Sequence, residues 1–483
     1  MSFTSYSFLL FAAALLILYY TIPQPGQWVL LLAGSYLFYL HSGVGNLVFM
    51  LLTTAVTYAA TQILARNQAM YDKKTAKRKN RGWIWFCLGV NFGLLAVCKV
   101  RFTFENILLP MGISFYMFQS MGYVLDVYRG SAAEKNPAKL ALFVSYFPQL
   151  IQGPISKYGQ LMPQLLQPHP YDGRQVAFGL QRMLWGYFKK LVIADRMAVA
   201  VAALKGPEYT GLSFLVLTVF YGVQIYGDFT GGIDIALGLS EALGIGLPEN
   251  FVRPFFAKNT AEYWRRWHIT LGRWMKDYVF YPVSVSSPLR KLSKSARKKW
   301  PKFGKRLPVY AASLATWLCT GIWHGITPNF LLWGMMNCAV IVVSEELTPL
   351  YEKFHNRFHV KNKGWYGGFE MLRTVMLMNL IRIVDLFPDV GEYFRRLGSM
   401  FTSFRVPLLD LGLAGLDYCI LILGCILMFA VSRIQERKGS VRALLWQRPG
   451  LRDALIFALF LAVLLMGSYG IGYDPGNFIY NQF

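Results

Sequence analysis

Charged residues are scarce in this sequence and absent from its first 65 positions. Only 15% of the 483 residues are Asp, Glu, Lys or Arg, whereas a soluble protein carries about 25%. No basic region opens the chain, so the first apolar run is expected to be a retained membrane span rather than a cleaved signal peptide. Because 55% of the residues are hydrophobic and many runs approach the roughly 20 apolar residues that cross a bilayer, the sequence predicts an all-α polytopic membrane protein.

Acidic residues are also few, with 25 Asp and Glu against 49 Lys and Arg. In a soluble protein this excess would favour a nucleic-acid partner. Here the basic residues lie between apolar runs, as in 66–81 and 286–306, so the positive-inside rule explains them and no nucleic acid is expected. Three apolar runs precede the first basic loop, which is cytoplasmic by this rule, so the N-terminus is predicted to lie outside. The acid-free segment 286–306 is read as a solvated cytoplasmic loop, or as one that touches anionic headgroups or an acidic partner.

Several catalytic and metal-binding patterns are missing. The six cysteines form no C-x-x-C pair, which argues against a disulfide framework or a zinc site. The sequence contains no P-loop, no Rossmann fingerprint and no G-x-S-x-G. No metal and no bound cofactor are therefore predicted.

Some apolar stretches contain helix breakers and polar residues. Segments 107–128 and 147–155 mix Pro, Gly and Gln with aromatic residues, which favours broken or re-entrant helices around a cavity, because irregular backbone at membrane depth needs protein around it. The glycines after Asp228 predict a similar break. Gln152, Asp228 and Asp234 are candidate cavity-lining residues, although helix caps at a loop explain the two acids about equally well.

A basic amphipathic helix is predicted over 259–278. Asn259 and Glu262 form a start that resembles a capping box. The following aromatic and apolar residues recur at spacings of three and four, which gives one face suited to the membrane interface: Trp264, Trp267, Leu271, Trp274 and Tyr278. His268 lies at the edge of this face, where it can reach a cavity or remain an interfacial polar residue.

A second helix, over 307–325, carries His324 at its end. Trp317, Thr320 and Gly321 share a face with this histidine. An ionisable residue at membrane depth is costly and is by default a functional candidate, whereas the alternative is an imidazole that only packs. A neutral imidazole can act as a general base for a hydroxyl. Spacing alone does not separate acyl transfer from proton-coupled transport.

Two motifs resemble those of the membrane-bound O-acyltransferase family. The first is 264–271, WRRWHITL, followed by Trp274 and by Asp277-Tyr278, and the second is 321–325, GIWHG. Further stretches that are similar to the family extend the resemblance from about residue 105 to the C-terminus: 110–119, 126–129, 147–155, 226–231 with Asp234, 250–251, 254–255 and 478–483.

The resemblance is to the bacterial branch of the family, which includes alginate-type O-acetyltransferases and teichoic-acid D-alanyl transfer proteins. It implies a location in the bacterial cell membrane, a fold, roles for residues and partners. The expected fold is a ring of about 11–13 tilted, partly re-entrant helices around a central funnel. His324 corresponds to the proposed catalytic base, and His268 to a second important position. The candidate substrate-binding residues are Trp267, Trp323, Gln152, Asp228 and Asp234. The implied donor is a thioester, either acetyl-CoA or a phosphopantetheine carrier protein. The implied partners are the lipid bilayer, a polysaccharide acceptor, an acyl carrier protein on the cytoplasmic side and an extracytoplasmic accessory acyltransferase.

The predicted division of the chain has three parts. They are N-terminal membrane helices over 1–104, a catalytic core over 105–345 with a basic cytoplasmic loop at 283–306, and C-terminal membrane helices over 346–483. The predicted function is O-acylation of an exported cell-surface polysaccharide with acetyl or a similar short acyl group. D-alanyl transfer to teichoic acid is the alternative within the family, and a proton-coupled transporter the alternative outside it. The chain departs from the alginate-type pattern in 283–287 and after Asn329, which bears on the acceptor and the acyl group.

Overall fold

The computed structural model describes residues 1–105, 110–361, 363–403, 411–469, 473 and 478, and these contain helices and no β-strand. The helices are α1 Tyr6–Thr21, α2 Gln27–Leu40, α3 Val44–Met70, α4 Lys73–Glu105, α5 Ile113–Arg129, α6 Pro137–Ser145, α7 Phe147–Leu150, α8 Tyr158–Leu166, α9 Gly173–Tyr187, α10 Asp195–Leu204, α11 Leu212–Ala242, α12 Thr260–Arg266, α13 Ile269–Met275, α14 Tyr281–Ser284, α15 Ser287–Lys299, α16 Pro301–His324, α17 Pro328–Glu346, α18 Thr348–Phe358, α19 Gly364–Arg382, α20 Val390–Ser399, α21 Gly415–Lys438, α22 Val441–Trp446 and α23 Pro449–Met466.

Short 3₁₀ and π segments interrupt or extend these helices. The 3₁₀ turns are Gln24–Gly26, Pro254–Phe256 and Ile383–Leu386, and the π turns are Phe188–Ala194 and Lys276–Phe280. The first π turn joins α9 to α10 without a loop. Single π turns of this kind occur inside α-helices, often at functional sites.

Among the described residues, five helices are long and apolar enough to cross a membrane, namely α3, α4, α11, α21 and α23. The pair α17 and α18 passes the same test together and bends by 52° between them. These helices confirm the prediction of an all-α, multi-pass membrane protein. The expected ring and central funnel stay predictions.

The described chain divides into two compact units. The first comprises Met1–Val192, Gly227–Pro248 and Ser440–Phe483, and the second comprises Ile193–Tyr226 and Glu249–Gly439. These units do not test the three-part division predicted from the sequence, which stays a prediction.

In the first unit, glycines bring α9 and the later part of α11 close together. A Cβ on Gly186 would lie 2.6 Å from the backbone oxygen of Gly231, and one on Gly238 would lie 2.6 Å from that of Gly179. Small residues are how membrane helices reach short separations, since dispersion contacts between backbones replace the hydrophobic effect.

In the second unit, α16 and α17 form a hairpin that is held together in the same way. A Cβ on Gly321 would lie 2.6 Å from the backbone oxygen of Phe330, and one on Gly334 would lie 2.5 Å from that of Trp317. The hairpin therefore fixes the end of α16, where His324 lies, against the start of α17.

Of three irregularities predicted within apolar runs, one is absent from the structure, one lies partly outside the described residues, and one is present. α11 runs without a break through Asp228 and the glycines that follow it, so the predicted interruption there is wrong. Gly231 serves the close packing against α9 instead, and Gly232 leaves room for the side chain of Gln152. α5 is continuous from Ile113, after Gly112 in the left-handed region. Residues 110–112 are not helical and residues 106–109 lie outside the described residues, so the break predicted in 107–128 stays a prediction. In 147–155, by contrast, α7 ends at Leu150 and no helix follows until Tyr158, which confirms the predicted break.

The basic segment 283–306 was predicted as a loop and is helical. α15 and the first turns of α16 cover most of it. The hydroxyl of Ser293 donates to the backbone oxygen of Gly304 at 2.7 Å, and Gly304 has no side chain to keep the two helices apart. Lys, Arg, Leu and Ala are good helix formers, so the segment is a helical hairpin with an exposed basic surface.

Candidate active site

His324 is the last residue of α16 and is buried in an aromatic environment. The residue is only 8% exposed. The centroid of its ring lies 4.8 Å from those of Trp323 and Trp333, with both indoles roughly edge-on, and 6.4 Å from Phe330, which is parallel to it. Aromatic walls exclude water and hold the imidazole in one orientation.

His268 lies between α12 and α13 in an unusual backbone conformation. Its φ is +47° and its ψ is +50°, a left-handed conformation that costs a non-glycine residue about 1 kcal/mol or more. Two backbone hydrogen bonds hold the chain on either side: Val252 N–H donates to Arg266 O at 2.9 Å, and Ile269 N–H donates to Asn250 O at 3.0 Å. The single helix predicted over 259–278 is therefore wrong, since these bonds break it at Trp267 and His268.

Asn250 sets the hydrogen bonding of His268. Its Oδ1 accepts from Thr270 N–H at 3.1 Å and from the Thr270 hydroxyl at 2.9 Å, so this atom is the carbonyl oxygen. The same oxygen lies 3.3 Å from His268 Nδ1. We therefore assign the proton to Nδ1, which leaves Nε2 as a hydrogen-bond acceptor.

Burial also keeps His268 neutral. The residue is 3% exposed, and desolvation, aided by the positive charge of Arg382, lowers its pKa from 6.5 to about 3. The imidazole consequently remains uncharged over the physiological pH range.

The structure brings His324 and His268 to the same tryptophan. The Trp323 ring centroid lies 4.8 Å from His324 and 5.8 Å from His268, and both contacts are close to perpendicular. The two motifs that the sequence singled out are thus neighbours in the second unit, although 55 residues separate the two histidines in the chain.

Trp267 forms a stack that the sequence did not predict. Its ring lies parallel to that of Tyr263, with centroids 5.7 Å apart, and the guanidinium carbon of Arg382 lies 3.6 Å from the Trp267 ring centroid. Arg382 also donates from Nη2 to the Tyr263 hydroxyl at 2.7 Å. The sequence did contain one signal for Arg382, which is a charged residue within the apolar run 366–386. Charged residues inside membrane segments rarely lack a function.

Asp228, Asp234 and Gln152 belong to the first unit, and both acids are paired with cations. Lys190 Nζ lies 2.5 Å from Asp228 Oδ1, and both residues are buried. Asp234 accepts from Lys189 at 2.6 Å and Arg182 at 2.8 Å. These acids are not caps at a loop, because both lie inside α11. Their role in substrate binding stays a prediction.

Gln152 is fully buried in the irregular chain after α7. Neither its Oε1 nor its Nε2 has a hydrogen-bond partner among the described residues. A buried amide without partners is costly, so this side chain is suited to a polar ligand or a bound water. Its role in substrate binding stays a prediction.

The described residues contain no group of three or more His, Cys, Asp or Glu that could hold a metal ion. The second unit instead provides two buried imidazoles, of which His268 is neutral, a wall of indoles and a buried guanidinium. A neutral imidazole can accept a proton or a hydrogen bond from a substrate hydroxyl.

The sequence of this chain is similar to those of known proteins. The model of the membrane-bound O-acyltransferase family matches residues 132–384, which include both histidines. A probable alginate O-acetylase of Pseudomonas fluorescens is 35% identical over 69% of this chain and 64% of its own length. A peptidoglycan O-acetyltransferase of Helicobacter pylori is 33% identical over 64% of each chain.

A teichoic acid D-alanyltransferase of Bacillus subtilis is less similar, at 26% identity over 53% of this chain and 62% of its own length. In all three alignments the matched part spans less than two thirds of the relative.

Proposed function

Because this chain belongs to the membrane-bound O-acyltransferase family, we propose that it transfers an acyl group to hydroxyls of an exported cell-surface polysaccharide. The acyl group is acetyl or a similarly short group, and the donor is a thioester on the cytoplasmic side. The observation that carries this proposal is the contact of two buried imidazoles, His324 and His268, with the single indole of Trp323.

His324 acts as the general base. Its unprotonated nitrogen takes the proton of the acceptor hydroxyl as the oxygen attacks the thioester carbonyl. The new C–O bond forms, the C–S bond breaks, and the leaving thiolate recovers the proton from the imidazolium. The indoles of Trp323 and Trp333 keep water from the acyl group, so that transfer competes with hydrolysis.

His268 has a different task. Its pKa of about 3 makes it a poor base at neutral pH, since a base that weak has little drive to take a proton. With Nδ1 turned to Asn250, its Nε2 accepts a hydrogen bond and orients a hydroxyl or an amide of a substrate. Its strained backbone holds the ring for this purpose.

The topology follows from the charges. The basic α15 hairpin lies on the cytoplasmic side, where it meets anionic headgroups or an acidic carrier protein, and the N-terminus lies outside. An extracytoplasmic accessory acyltransferase is a proposed partner on the outer side. In a chain whose native cysteines are replaced, an exposed Ser295→Cys should react with an impermeant maleimide only after the cells are opened. Labelling of intact cells would reverse the orientation.

D-alanyl transfer from a carrier protein to teichoic acid is the second candidate. The similarity to the Bacillus subtilis enzyme favours it, but at lower identity than the similarity to the two O-acetyl-transferring relatives. Identifying the acyl group that the protein accepts would distinguish O-acetyl transfer from D-alanyl transfer.

The test uses the purified protein in nanodiscs with isotopically labelled acetyl-CoA and an oligosaccharide acceptor. Release of thiol and formation of an oligosaccharide ester are both followed. We expect ester formation by the unaltered protein and a loss of at least about 100-fold in His324→Gln. The exposed His41 provides a control, since His41→Gln should transfer normally. Equal rates in the His324 variant would contradict the proposal.

A further inference from the structure

The short helix α18 of the second unit has one apolar face, and that face is exposed. Four large side chains recur along the helix at spacings of one, three and four residues, which places them on one side of it. They are Leu350, Tyr351, Phe354 and Phe358. Each of them is between 38% and 58% exposed, and no residue of α18 is buried. The helix therefore presents apolar surface that the described chain does not cover.

The other side of α18 is polar and carries positive charge. Lys353 and Arg357 are exposed and four residues apart, so they lie above one another on the helix. Glu352 is the only acidic residue of α18. Arg357 is three residues from Phe354, and its guanidinium carbon lies 6.0 Å from the ring centroid of Phe358. Basic side chains at such a border keep their stems on the apolar surface and extend their charge into water or headgroups.

A bend separates α18 from the apolar helix before it. α17 and α18 are inclined to each other by 52°. α17 has 19 residues and is about 29 Å long, which matches the roughly 30 Å of a hydrocarbon core. α18 has 11 residues and is about 17 Å long, so it cannot cross by itself. Because α17 is long enough alone and charges inside the core are costly, α18 is suited to the plane of the interface, as amphipathic helices of this composition are.

The start of α18 lies beside the basic α15 hairpin. Arg306 and Tyr310 of α16 both bond to the carboxylate of Glu346, which is the last residue of α17, two residues before α18 begins. The segment 286–306 contains many Lys and Arg residues and no acid. Trp300 is exposed among them, and tryptophan is enriched where a membrane meets water. Two basic, amphipathic elements therefore lie at the same end of the α16–α17 hairpin.

We propose that α18 lies in the membrane surface and binds anionic phospholipid there. Its apolar face enters the boundary between headgroups and acyl chains, and Lys353 and Arg357 hold the negatively charged headgroups. An acidic protein would pair with the cations but would leave the apolar face in water, whereas a lipid surface covers both. Since α18 follows α17, this contact holds the α16–α17 hairpin, which carries His324 at its other end, at a fixed depth. The inference goes beyond the proposed function and does not depend on acyl transfer.

The test is fluorescence quenching by brominated lipids, with the full chain in nanodiscs. A small fluorophore is attached to Phe354→Cys in a chain whose native cysteines are replaced. The nanodiscs contain equal amounts of phosphatidylglycerol and phosphatidylcholine, and only one of the two carries bromine on its acyl chains. Because bromine quenches on contact, two such experiments compare how often each lipid touches the helix. We expect contact with phosphatidylglycerol to be about fivefold more frequent, as one basic residue near an anionic surface provides.

Three further labelled positions make the result specific to the apolar face of α18. Leu350→Cys lies on the same face and should show the same preference, which guards against a disturbance by the label at position 354. Asn356→Cys lies on the polar side and is exposed, so both lipids should quench its label weakly. Phe460→Cys is exposed on the membrane-crossing helix α23, so both lipids should quench its label equally.

The double variant Lys353→Gln/Arg357→Gln tests the two cations. It should bring the ratio of the two lipids close to one, while the label at position 354 stays quenched because the apolar face is intact. Equal quenching by both lipids before this change, or a preference that survives it, would overturn the proposal.

Other occupants of the apolar face give different results. A label at position 354 that neither lipid quenches, and that only an added acidic carrier protein protects from acrylamide, would assign the face to that protein. Protection that appears only when two copies share a nanodisc would assign it to a second copy of the chain. Either result would overturn the proposal, whatever the outcome of the transfer assay.

Discussion

At the scale of single residues, the neutral state of His268 has a consequence for stability. The folded pKa of about 3 lies below the usual 6.5, so between these values the unfolded chain binds a proton that the folded chain does not. Above pH 6.5 the proton uptake of His268 does not reduce the free energy of unfolding. As the pH falls from 6.5 towards 3, this free energy decreases by up to about 1.4 kcal/mol per pH unit.

We therefore expect His268→Gln to be less sensitive to acid than the unaltered protein. The measurement is the Tm of each protein in detergent at pH 7.5 and pH 5.0. The difference between the two Tm values should be clearly smaller in the variant, because glutamine takes up no proton on unfolding. Equal differences would mean that His268 titrates normally when folded.

The two histidines also show what sequence can and cannot predict at this scale. Their motifs identify them as candidates, and a resemblance to a family adds their roles. No pattern predicts that His268 has a left-handed backbone or that Trp323 contacts both rings, because these depend on bonds from Asn250 and on packing between helices. Arg382 was missed because the run 366–386 also contains Glu370, Arg373 and Asp385, and spacing alone does not tell which of these charges is buried.

At the scale of elements, the α16–α17 hairpin positions His324. We expect Gly321→Ala to lower the rate of acyl transfer at least tenfold and stability by about 1–3 kcal/mol, since the added Cβ would lie 2.6 Å from Phe330 O. Gly368→Ala on α19 is the control, because nothing lies within 4 Å of a Cβ there and alanine favours a helix. Rates and Tm values of both variants check this. Normal transfer by Gly321→Ala would show that the hairpin tolerates a wider separation.

The pair Lys190 and Asp228 joins the π turn to α11 within the first unit. Asp228→Asn should destabilise the protein by about 3–5 kcal/mol, because it leaves the buried ammonium of Lys190 without its counter-ion. The double variant Lys190→Met/Asp228→Leu should recover most of this loss, since replacing both charges by apolar groups is often neutral.

The control is Glu105→Gln, which breaks the exposed pair with Arg101 and should change stability by no more than about 0.5 kcal/mol. The Tm and transfer rate of each variant are measured together. A double variant that is no more stable than Asp228→Asn would contradict the ion-pair account. A stable double variant that transfers nothing would support the predicted contact of Asp228 with substrate.

The sequence predicted some structural elements correctly and others wrongly. The Asn259 cap is present, with Oδ1 accepting from Glu262 N–H at 2.8 Å, because a cap depends on residues close in sequence. The break at Asp228 was wrong because glycine signals both a turn and a close helix contact, and only the neighbouring helix decides between them. The basic segment α15 was read as a loop from its charge, although its residues favour a helix.

At the scale of the whole molecule, the apolar composition sufficed to predict a multi-pass helical protein, and five helices able to cross a membrane agree with it. Composition could not give the course of the chain through its two units, in which α11 contributes to both. Contacts far apart in sequence determine this arrangement, and a single sequence does not report them.

The central claim is that His324 is the base for transfer of a short acyl group to an envelope polysaccharide. The most direct test is the acyl-ester content of the cell envelope in a deletion strain complemented with the unaltered protein, His324→Ala or the control His41→Gln. Esters are released by mild alkali and identified by mass spectrometry. We expect acetate with the unaltered protein and the control, and none above the deletion strain with His324→Ala. Full restoration of acetate by His324→Ala would show that His324 is not the base.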